Sequence, residues 1–263
     1  MDTHSHRLAN RLVGNGDDAA LLEITLLGPH IEFGSALRFA VTGAEFQLTL
    51  DEKPAPMNER VDARPGSCLR FGERTRGARA YLAVAGGIDV PLVLNSRSTH
   101  IVSAMGGYQG RALRAGDVLP IGEREGSGAF FSPLLLPEGG ARVRVVAGRY
   151  GEQLAGRRFT ISTRSDRMGY RLEGPAVSTD ARADVISRPV PTGAIQVPPS
   201  GGPILLMADH ATVGGYPIAA TVITADLPVA GQLAPGDWVE FELCSLEAAD
   251  EALRERAAGE GMA

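Results

Sequence analysis

Residues 193–217 read GAIQVPPSGGPILLMADHATVGGYP. Proline and glycine stand on both sides of a short apolar run, Ile204 to Met207, so the chain turns before and after it. A run this short between turns is typical of a buried strand and not of a helix. Polar residues follow the strand at once, and loops at strand ends often carry binding residues.

The rest of the chain repeats this alternation of strands and turns, and it is rich in glycine (33) and proline (17). Apolar and polar residues alternate in three places, which predicts strands with one buried face: 46–50, 142–145 and 238–243. Residues 22–27 and 81–85 are more continuously apolar, so we predict that they are buried on both faces. These patterns predict an all-β protein.

Helices are few in this prediction. Residues 6–13 form one candidate, with Asn15-Gly16 as its C-terminal stop. Residues 245–257 form another, in which Ser245 can cap the first turn and Glu247 adds favourable charge there.

The segment 123–140, EREGSGAFFSPLLLPEGG, is rich in glycine, serine and proline. We predict that it connects two halves of the chain. A glycine turn that leads into a strand recurs at 64–71, 114–121 and 234–241, which is compatible with two similar barrels. We therefore predict one β subdomain over 1–122, a second over 141–244, and a helical tail over 245–263.

Composition limits the classes of function. The net charge of −5 argues against nucleic acid, because phosphate binding needs clustered lysine and arginine, and Lys53 is the only lysine. No stretch reaches the ~20 apolar residues of a membrane-spanning helix, and the first residues do not resemble a signal peptide. Cys68 and Cys244 form no C-x-x-C pair, as expected of a reduced, cytoplasmic protein.

Three polar segments interrupt the strands, and each allows two interpretations. Residues 83–100 contain Gly86-Gly87 and end in Arg97-Ser98-Thr99-His100, which is either an anion pocket or an exposed loop. Residues 165–172 are either a turn with a surface ion pair or a loop that aims Arg167 at an anionic substrate.

The third segment is the quoted stretch. His210 is a candidate general base, but its neighbour Asp209 points to the opposite face of a strand, so the two do not form a ready dyad. Asp209 alternatively bonds backbone amides in the turn. The chain has no G-x-x-x-x-G-K-[ST] loop, no G-x-S-x-G elbow and no metal-ligand spacing among its histidines.

Together, four motifs resemble the biotin-dependent carboxyltransferase-like family, also called the allophanate hydrolase subunit 2 family. They are GARAYLAVAGGIDVPLVLNSRST, GYQGRALRAGDVLPIG, SDRMGYRLEGP and GAIQVPPSGGPILLMADHATVGGYPIAATVITADLP, and the resemblance runs from about Met1 to Phe241. The family includes the carboxyltransferase domain of urea carboxylase, the C subunit of bacterial 5-oxoprolinase and an antagonist of a sporulation-kinase inhibitor. The resemblance implies two cyclophilin-like β-barrel subdomains with a ligand cleft between them.

The resemblance also implies partners and cofactors. The partners are an allophanate hydrolase subunit 1-like protein (the B subunit of 5-oxoprolinase) and a lactam-utilisation protein (its A subunit). With them, such a chain couples ATP hydrolysis to the opening of a small amide, 5-oxo-L-proline, to L-glutamate. ATP would then be shared with a partner protein. Biotin, if used, would arrive on a separate protein, because this chain has no A-M-K-M motif.

Site residues follow from the same resemblance. Arg97 and Arg167 would hold a carboxylate or phosphoryl group, Gln196 and Thr212 would orient the amide, and His210 would shuttle a proton. The Gly214 and Gly215 amides would stabilise charge on the lactam oxygen. Further matched positions, expected to bind substrate, are Ser98, Thr99, Met168, Gly169, Tyr170, Pro198, Ser200, Gly201, Asp209 and Tyr216.

The chain departs from the family pattern in places. Asn95 stands where glycine is usual, and asparagine tolerates the left-handed conformation that such a turn needs. Gly202, Ala211 and Val213 replace polar residues, which leaves the substrate open. Met1-Asp2 corresponds to a pair that the family precedes with a Gly-rich segment, so we expect a shortened start that lacks an early strand.

Two other functions remain compatible with the resemblance. One is a regulatory protein that antagonises the inhibitor of a sensor kinase. The other is a carboxyltransferase that acts on urea or another small amide.

Overall fold

The computed structural model describes residues 1–123, 130–179 and 186–261. The chain divides into two compact units, which we call the first unit (residues 3–134) and the second unit (residues 1–2 and 135–263). Part of the predicted connection, residues 124–129, and the last two residues of the predicted tail lie outside the described residues. No helix in the described part of the chain is long and apolar enough to cross a membrane.

The part of the first unit that the structure describes has one helix and six strands. They are α1 (Thr3–Val13), β1 (Leu22–Thr25), β2 (His30–Glu32), β3 (Leu37–Leu50), β4 (Lys53–Ala55), β5 (Val61–Ala63) and β6 (Cys68–Val84).

The two long strands β3 and β6 pair antiparallel along most of their length and form the centre of a six-stranded sheet. Their register shifts three times between Gly43 and Leu48, and such bulges bend and twist a strand pair. The short strands β1 and β2 pair with β6, and β4 and β5 pair with β3. Phe39, Leu69 and Leu82 lie in the core beneath this sheet.

Helix α1 packs through its apolar face on the other side of β3 and β6, with Leu8 and Leu12 against Tyr81. It begins earlier than predicted, at Thr3, and ends at Val13. The residue that ends it is Gly14, which takes φ +85°, and not the predicted Asn15-Gly16 pair. The buried Asn15 donates to the Val84 carbonyl (2.8 Å) and accepts from the Gly86 amide (2.9 Å). The helix end therefore fixes the end of β6 and the loop that follows it.

Within its described residues, the second unit has nine strands, two α-helices and two 3₁₀ helices, the latter at Gly151–Gln153 and Thr224–Asp226. The strands and α-helices are β7 (Gly140–Ala147), β8 (Arg158–Ile161), β9 (Gly169–Glu173), β10 (Arg188–Pro189), β11 (Ala194–Gln196), β12 (Ile204–Leu206), β13 (Val213–Gly214), β14 (Ile218–Val222), α2 (Leu227–Gly231), β15 (Trp238–Cys244) and α3 (Leu246–Gly259).

Seven of these strands close into a barrel in the order β11-β12-β9-β8-β15-β7-β14. Val143, Phe159, Ile195, Leu205 and Phe241 fill its interior, each at most 1% exposed. The alternation predicted over 142–145 and 238–243 is confirmed, since Val143, Val145, Val239 and Phe241 are all buried. The predicted all-β class with few helices is confirmed, and the closed barrel is confirmed for the second unit.

The expectation for 22–27 was wrong in part. Strand β1 ends at Thr25, Leu26 takes φ +62°, and Leu27 is 86% exposed because the chain turns away from the sheet there. Residues 81–85, in contrast, are buried throughout. The C-terminal helix begins as predicted, and Ser245 Oγ accepts from the Ala248 amide (3.2 Å).

Candidate functional site

The predicted site residues fall into two groups, one in each unit, and each group is described by itself. In the second unit, strand alternation decides which side chains are available. Ile195 and Leu205 point into the barrel, so Ala194, Gln196 and Leu206 lie on its outer face. Val190 packs on that face, and it belongs to residues 188–192, which we call the strap.

The strap crosses the segment after β12. Its strand β10 pairs antiparallel with β13, and the Val190 amide donates to the Thr212 carbonyl (3.0 Å). Gln196 lies beneath the strap and is 7% exposed. A Cβ at Gly214 would lie 2.4 Å from Gln196 Nε2, so the Gln196 amide is pressed against this glycine.

The Gln196 amide nitrogen is a buried donor for which the structure shows no hydrogen-bond partner among the described residues. Buried polar groups without partners are uncommon in folded proteins and often mark functional positions. Gln196 is therefore the predicted residue with the clearest capacity to bind a carbonyl oxygen.

Arg167 and Asp209 meet across 42 residues of sequence. Arg167 donates from Nε to one carboxylate oxygen (2.8 Å) and from Nη2 to the other (3.0 Å), and the Asp209 amide donates to the Arg167 carbonyl (2.8 Å). Asp209 thus bonds a guanidinium, and no backbone amide of the described residues donates to its carboxylate. The guanidinium fork that was expected to hold a substrate anion is engaged by a protein carboxylate.

His210 does not pair with Asp209, in agreement with the sequence argument. Its Nδ1 lies 2.7 Å from the Ala211 carbonyl oxygen and its Nε2 lies 3.0 Å from Thr192 Oγ1. A carbonyl can only accept, so Nδ1 carries the proton in neutral His210 and Nε2 accepts from Thr192. The basic nitrogen therefore faces Thr192, a strap residue that no sequence pattern singles out.

The other predicted residues of the second unit occupy several environments. Tyr170 is 2% exposed, and its hydroxyl donates to the Leu233 carbonyl (3.3 Å), so its side chain lies in the core of the barrel. Gly169 is buried where β9 pairs antiparallel with β12, opposite Leu206. Pro198, Ser200 and Gly201 form a turn closed by the Gly201 amide and the Pro198 carbonyl (2.9 Å). The more exposed positions are Met168, Thr212, Gly215 and Tyr216.

In the first unit, Arg97 and Ser98 are exposed, and Thr99 is partly buried. Val93 and Ser96 exchange both backbone hydrogen bonds, and Leu94 and Asn95 between them have φ +51° and +61°. This is a two-residue turn in which Asn95 takes the left-handed conformation, as its substitution for glycine predicted.

The loop after Arg97 folds back on itself. A Cβ at Gly107 would lie 1.8 Å from Thr99 Oγ1, and one at Gly106 would lie 2.2 Å from the Ser98 carbonyl oxygen. Thr99 and Ser98 therefore pack directly on a glycine turn. The sequence motif around Gly106 and Gly107 was quoted for the resemblance, but no residue of it was singled out as a site residue.

The family model of the carboxyltransferase domain, subdomains A and B, matches residues 1–243, and the chain belongs to this family. The chain is 38% identical to the C subunit of 5-oxoprolinase from Escherichia coli (strain K12), over 97% of this chain and 84% of that protein. It is 36% identical to the C subunit of 5-oxoprolinase from Haemophilus influenzae, over 95% of this chain and 83% of that protein.

A solved structure with the same fold is that of the urea amidolyase of K. lactis, with a TM-score of 0.89 and 32% identity. The similarity covers all of this chain but 18% of that one, so this chain spans only a small part of the amidolyase.

Proposed function

We propose that this chain is the C subunit of an ATP-dependent 5-oxoprolinase, which opens 5-oxo-L-proline to L-glutamate. The observation that carries the proposal is similarity along nearly the whole length of both proteins, 97% of this chain and 84% of the E. coli protein. The urea amidolyase similarity, in contrast, reaches one part of a much longer protein.

In this proposal the chain works with an allophanate hydrolase subunit 1-like protein and a lactam-utilisation protein. ATP is bound with the help of these partners, because this chain has no phosphate-binding loop of the G-x-x-x-x-G-K-[ST] type. No step requires biotin on this chain. Both cysteines are free, as is usual in the reducing cytoplasm where we place the complex.

The residues of the second unit supply two groups that the opening of an amide needs. The unpaired Gln196 amide can donate to a carbonyl oxygen, and charge that develops on that oxygen is stabilised most by a donor already fixed in place. His210 Nε2 can accept a proton from the substrate once its hydrogen bond with the Thr192 hydroxyl breaks. The Arg167–Asp209 ion pair joins the segment just before β9 to the segment just after β12, which carries His210.

The test is glutamate release from 5-oxo-L-proline and ATP by the three proteins together. We expect release to stop when this chain is omitted and to fall at least tenfold in Arg97→Ala. Arg64→Ala is the matched control, because Arg64 is also an exposed arginine of the first unit but lies outside the motifs.

Release that continues without this chain would contradict the proposal. In that case, carboxylation of urea in the presence of a biotinylated carrier protein would support a carboxyltransferase, and inhibition of a kinase inhibitor would support the regulatory function.

A further inference from the structure

The strap lies over both groups that the proposed reaction uses. The Gln196 amide nitrogen is buried, and a Cβ at Gly214 would lie 2.4 Å from it and 3.4 Å from Val190 Cγ1, so the amide and the valine are close neighbours. The other group, His210 Nε2, lies 3.0 Å from Thr192 Oγ1. One short segment therefore blocks the amide donor with an apolar side chain and the basic nitrogen with a hydroxyl.

The strap is held to the rest of the second unit by few interactions. Its strand β10 pairs with β13, and the two form a separate two-stranded sheet that is not part of the barrel. A two-stranded sheet is marginally stable by itself. Val190 is buried, but residues 188–189 and 191–192 are exposed. Little apolar contact therefore has to be lost for the strap to move.

The segment on the other side of the site, residues 209–217, is anchored at both ends. Arg167 donates two hydrogen bonds to the Asp209 carboxylate, and the Val197 amide donates to the Pro217 carbonyl (3.0 Å). His210 and β13 lie between these two anchors. This segment therefore stays on the barrel when the strap moves away from it.

Gly193 provides a pivot at the C-terminal end of the strap. Its amide donates to the Leu206 carbonyl (2.8 Å) and its carbonyl accepts from the Val222 amide (2.9 Å), so it is fixed to β12 and β14. It takes φ +85°, and a glycine adopts this conformation without strain. Rotation on the strap side of Gly193 lifts the strap and leaves the strand pairs of the barrel intact, as in a hinge at the end of an element.

We infer that the strap is a gate over the site. In the closed state described here, Val190 covers Gln196, and the Thr192 hydroxyl acts as a latch by donating to His210 Nε2. Opening breaks this hydrogen bond and uncovers both groups, so the amide donor and the basic nitrogen become available in the same step. The inference rests on the proposed function, because it describes how the small amide reaches the groups that act on it.

A disulfide between the strap and β13 tests whether the strap must leave. Because the Val190 amide donates to the Thr212 carbonyl, the neighbouring Pro189–Val213 pair is of the kind without hydrogen bonds, whose Cα atoms lie ~4.5 Å apart. A disulfide needs ~4.4–6.8 Å between these atoms. The double variant Pro189→Cys/Val213→Cys is oxidised before the partner proteins are added, and mass spectrometry of tryptic peptides identifies the cross-linked form.

We expect glutamate release by the three proteins to fall at least tenfold in the cross-linked form and to recover when dithiothreitol reduces the disulfide. The controls are the parent and the single variants Pro189→Cys and Val213→Cys, oxidised in the same way. Each control should keep at least half of the release of the untreated parent. Undiminished release by the cross-linked form would overturn the gate.

The latch is tested without turnover, by hydrogen exchange of the Val190 amide in the full chain. Thr192→Val keeps the shape of the side chain but cannot donate to His210, so the strap should open more often and the Val190 amide should exchange at least fivefold faster. Thr192→Ser keeps the hydroxyl and should stay within twofold of the parent. The amides of β7 and β15 should keep their protection in both variants. Equal exchange of the Val190 amide in Thr192→Val and the parent would overturn the latch.

The gate and the proposed function fail in different ways. If the parent complex releases glutamate and the cross-linked form releases as much, the gate is wrong and the proposed function stands. If Thr192→Val speeds exchange in the strap but not in the barrel, and the parent complex releases no glutamate, the strap opens as inferred and the proposed function is wrong.

Discussion

At the scale of single residues, Gln196 and Gly214 depend on each other. Gly214 does not have a positive φ, so its backbone conformation would allow a side chain. What favours glycine here is the lack of space for a Cβ atom. An added Cβ would meet the Gln196 amide at 2.4 Å, and Val190 Cγ1 stands 3.4 Å away on another side. Gln196 must therefore turn its amide elsewhere if position 214 gains a methyl group.

We expect Gly214→Ala to lower glutamate release at least about tenfold, equivalent to about 1.4 kcal/mol in the barrier. The free energy of unfolding should change by less than about 1 kcal/mol, because the reduced freedom of the unfolded chain offsets part of the rearrangement. Turnover and urea denaturation measure the two effects separately.

Gly202→Ala is the control, since nothing lies within 4 Å of its added Cβ and its φ is not positive. Equal turnover in both variants would mean that the position of the Gln196 amide does not matter to the reaction.

The sequence could single out His210 as a candidate from its polar motif and Gln196 from the family resemblance, and the roles of both residues stay predictions. It could not identify their partners. Asp209 meets Arg167 through the pairing of β9 with β12, and Thr192 reaches His210 only because the strap crosses the segment after β12. Such contacts depend on strand register over tens of residues, which local patterns do not contain.

At the scale of elements, helix α3 has little to hold it. Ala252 is its one buried residue, and it packs with Ile223 and Ala225. The first turn is stabilised by Ser245, whose Oγ accepts from the Ala248 amide, and by Glu247, whose pKa is lowered chiefly by a hydrogen bond with its own backbone amide and then by one from Ser245. A helix with so small an apolar contact depends strongly on its cap.

We therefore expect Ser245→Ala to cost about 1 kcal/mol of helix stability, the usual effect of removing such a cap. Hydrogen exchange should show faster exchange of the amides of residues 246–250, while the barrel amides keep their protection. Ser245→Asp should restore the slow exchange because aspartate also caps helices.

The exposed Ser35, which has no side-chain hydrogen bond among the described residues, provides Ser35→Ala as a control. If Ser245→Ala left the exchange of residues 246–250 as slow as in the parent, the cap would contribute nothing and the packing of Ala252 would be sufficient.

At the scale of the whole molecule, alternation of apolar and polar residues predicted the class of fold well. It predicted the faces of β7 and β15 because each strand has one side in the barrel and one outside. The expectation drawn from the continuously apolar run 22–27 failed at Leu26 and Leu27, where an apolar pair leaves the sheet at a residue of positive φ. Leucine carries no sign of such a turn, so no periodicity argument could have found it.

Each unit also carries a single free thiol, Cys68 at the start of β6 in the first unit and Cys244 at the end of β15 in the second. Burial raises the pKa of the Cys244 thiol, so less of it is thiolate at neutral pH, and the thiolate is the reactive form. We expect maleimide at pH 7 to label Cys68 first and Cys244 only as the pH rises, which mass spectrometry of tryptic peptides would detect.

Preferential labelling of Cys244 at pH 7 would contradict that order. If the order holds, two different fluorophores can be attached in sequence without any mutation, one to each unit. Energy transfer between them would then report, in real time, whether the two halves of the protein move against each other when substrate or partner proteins bind.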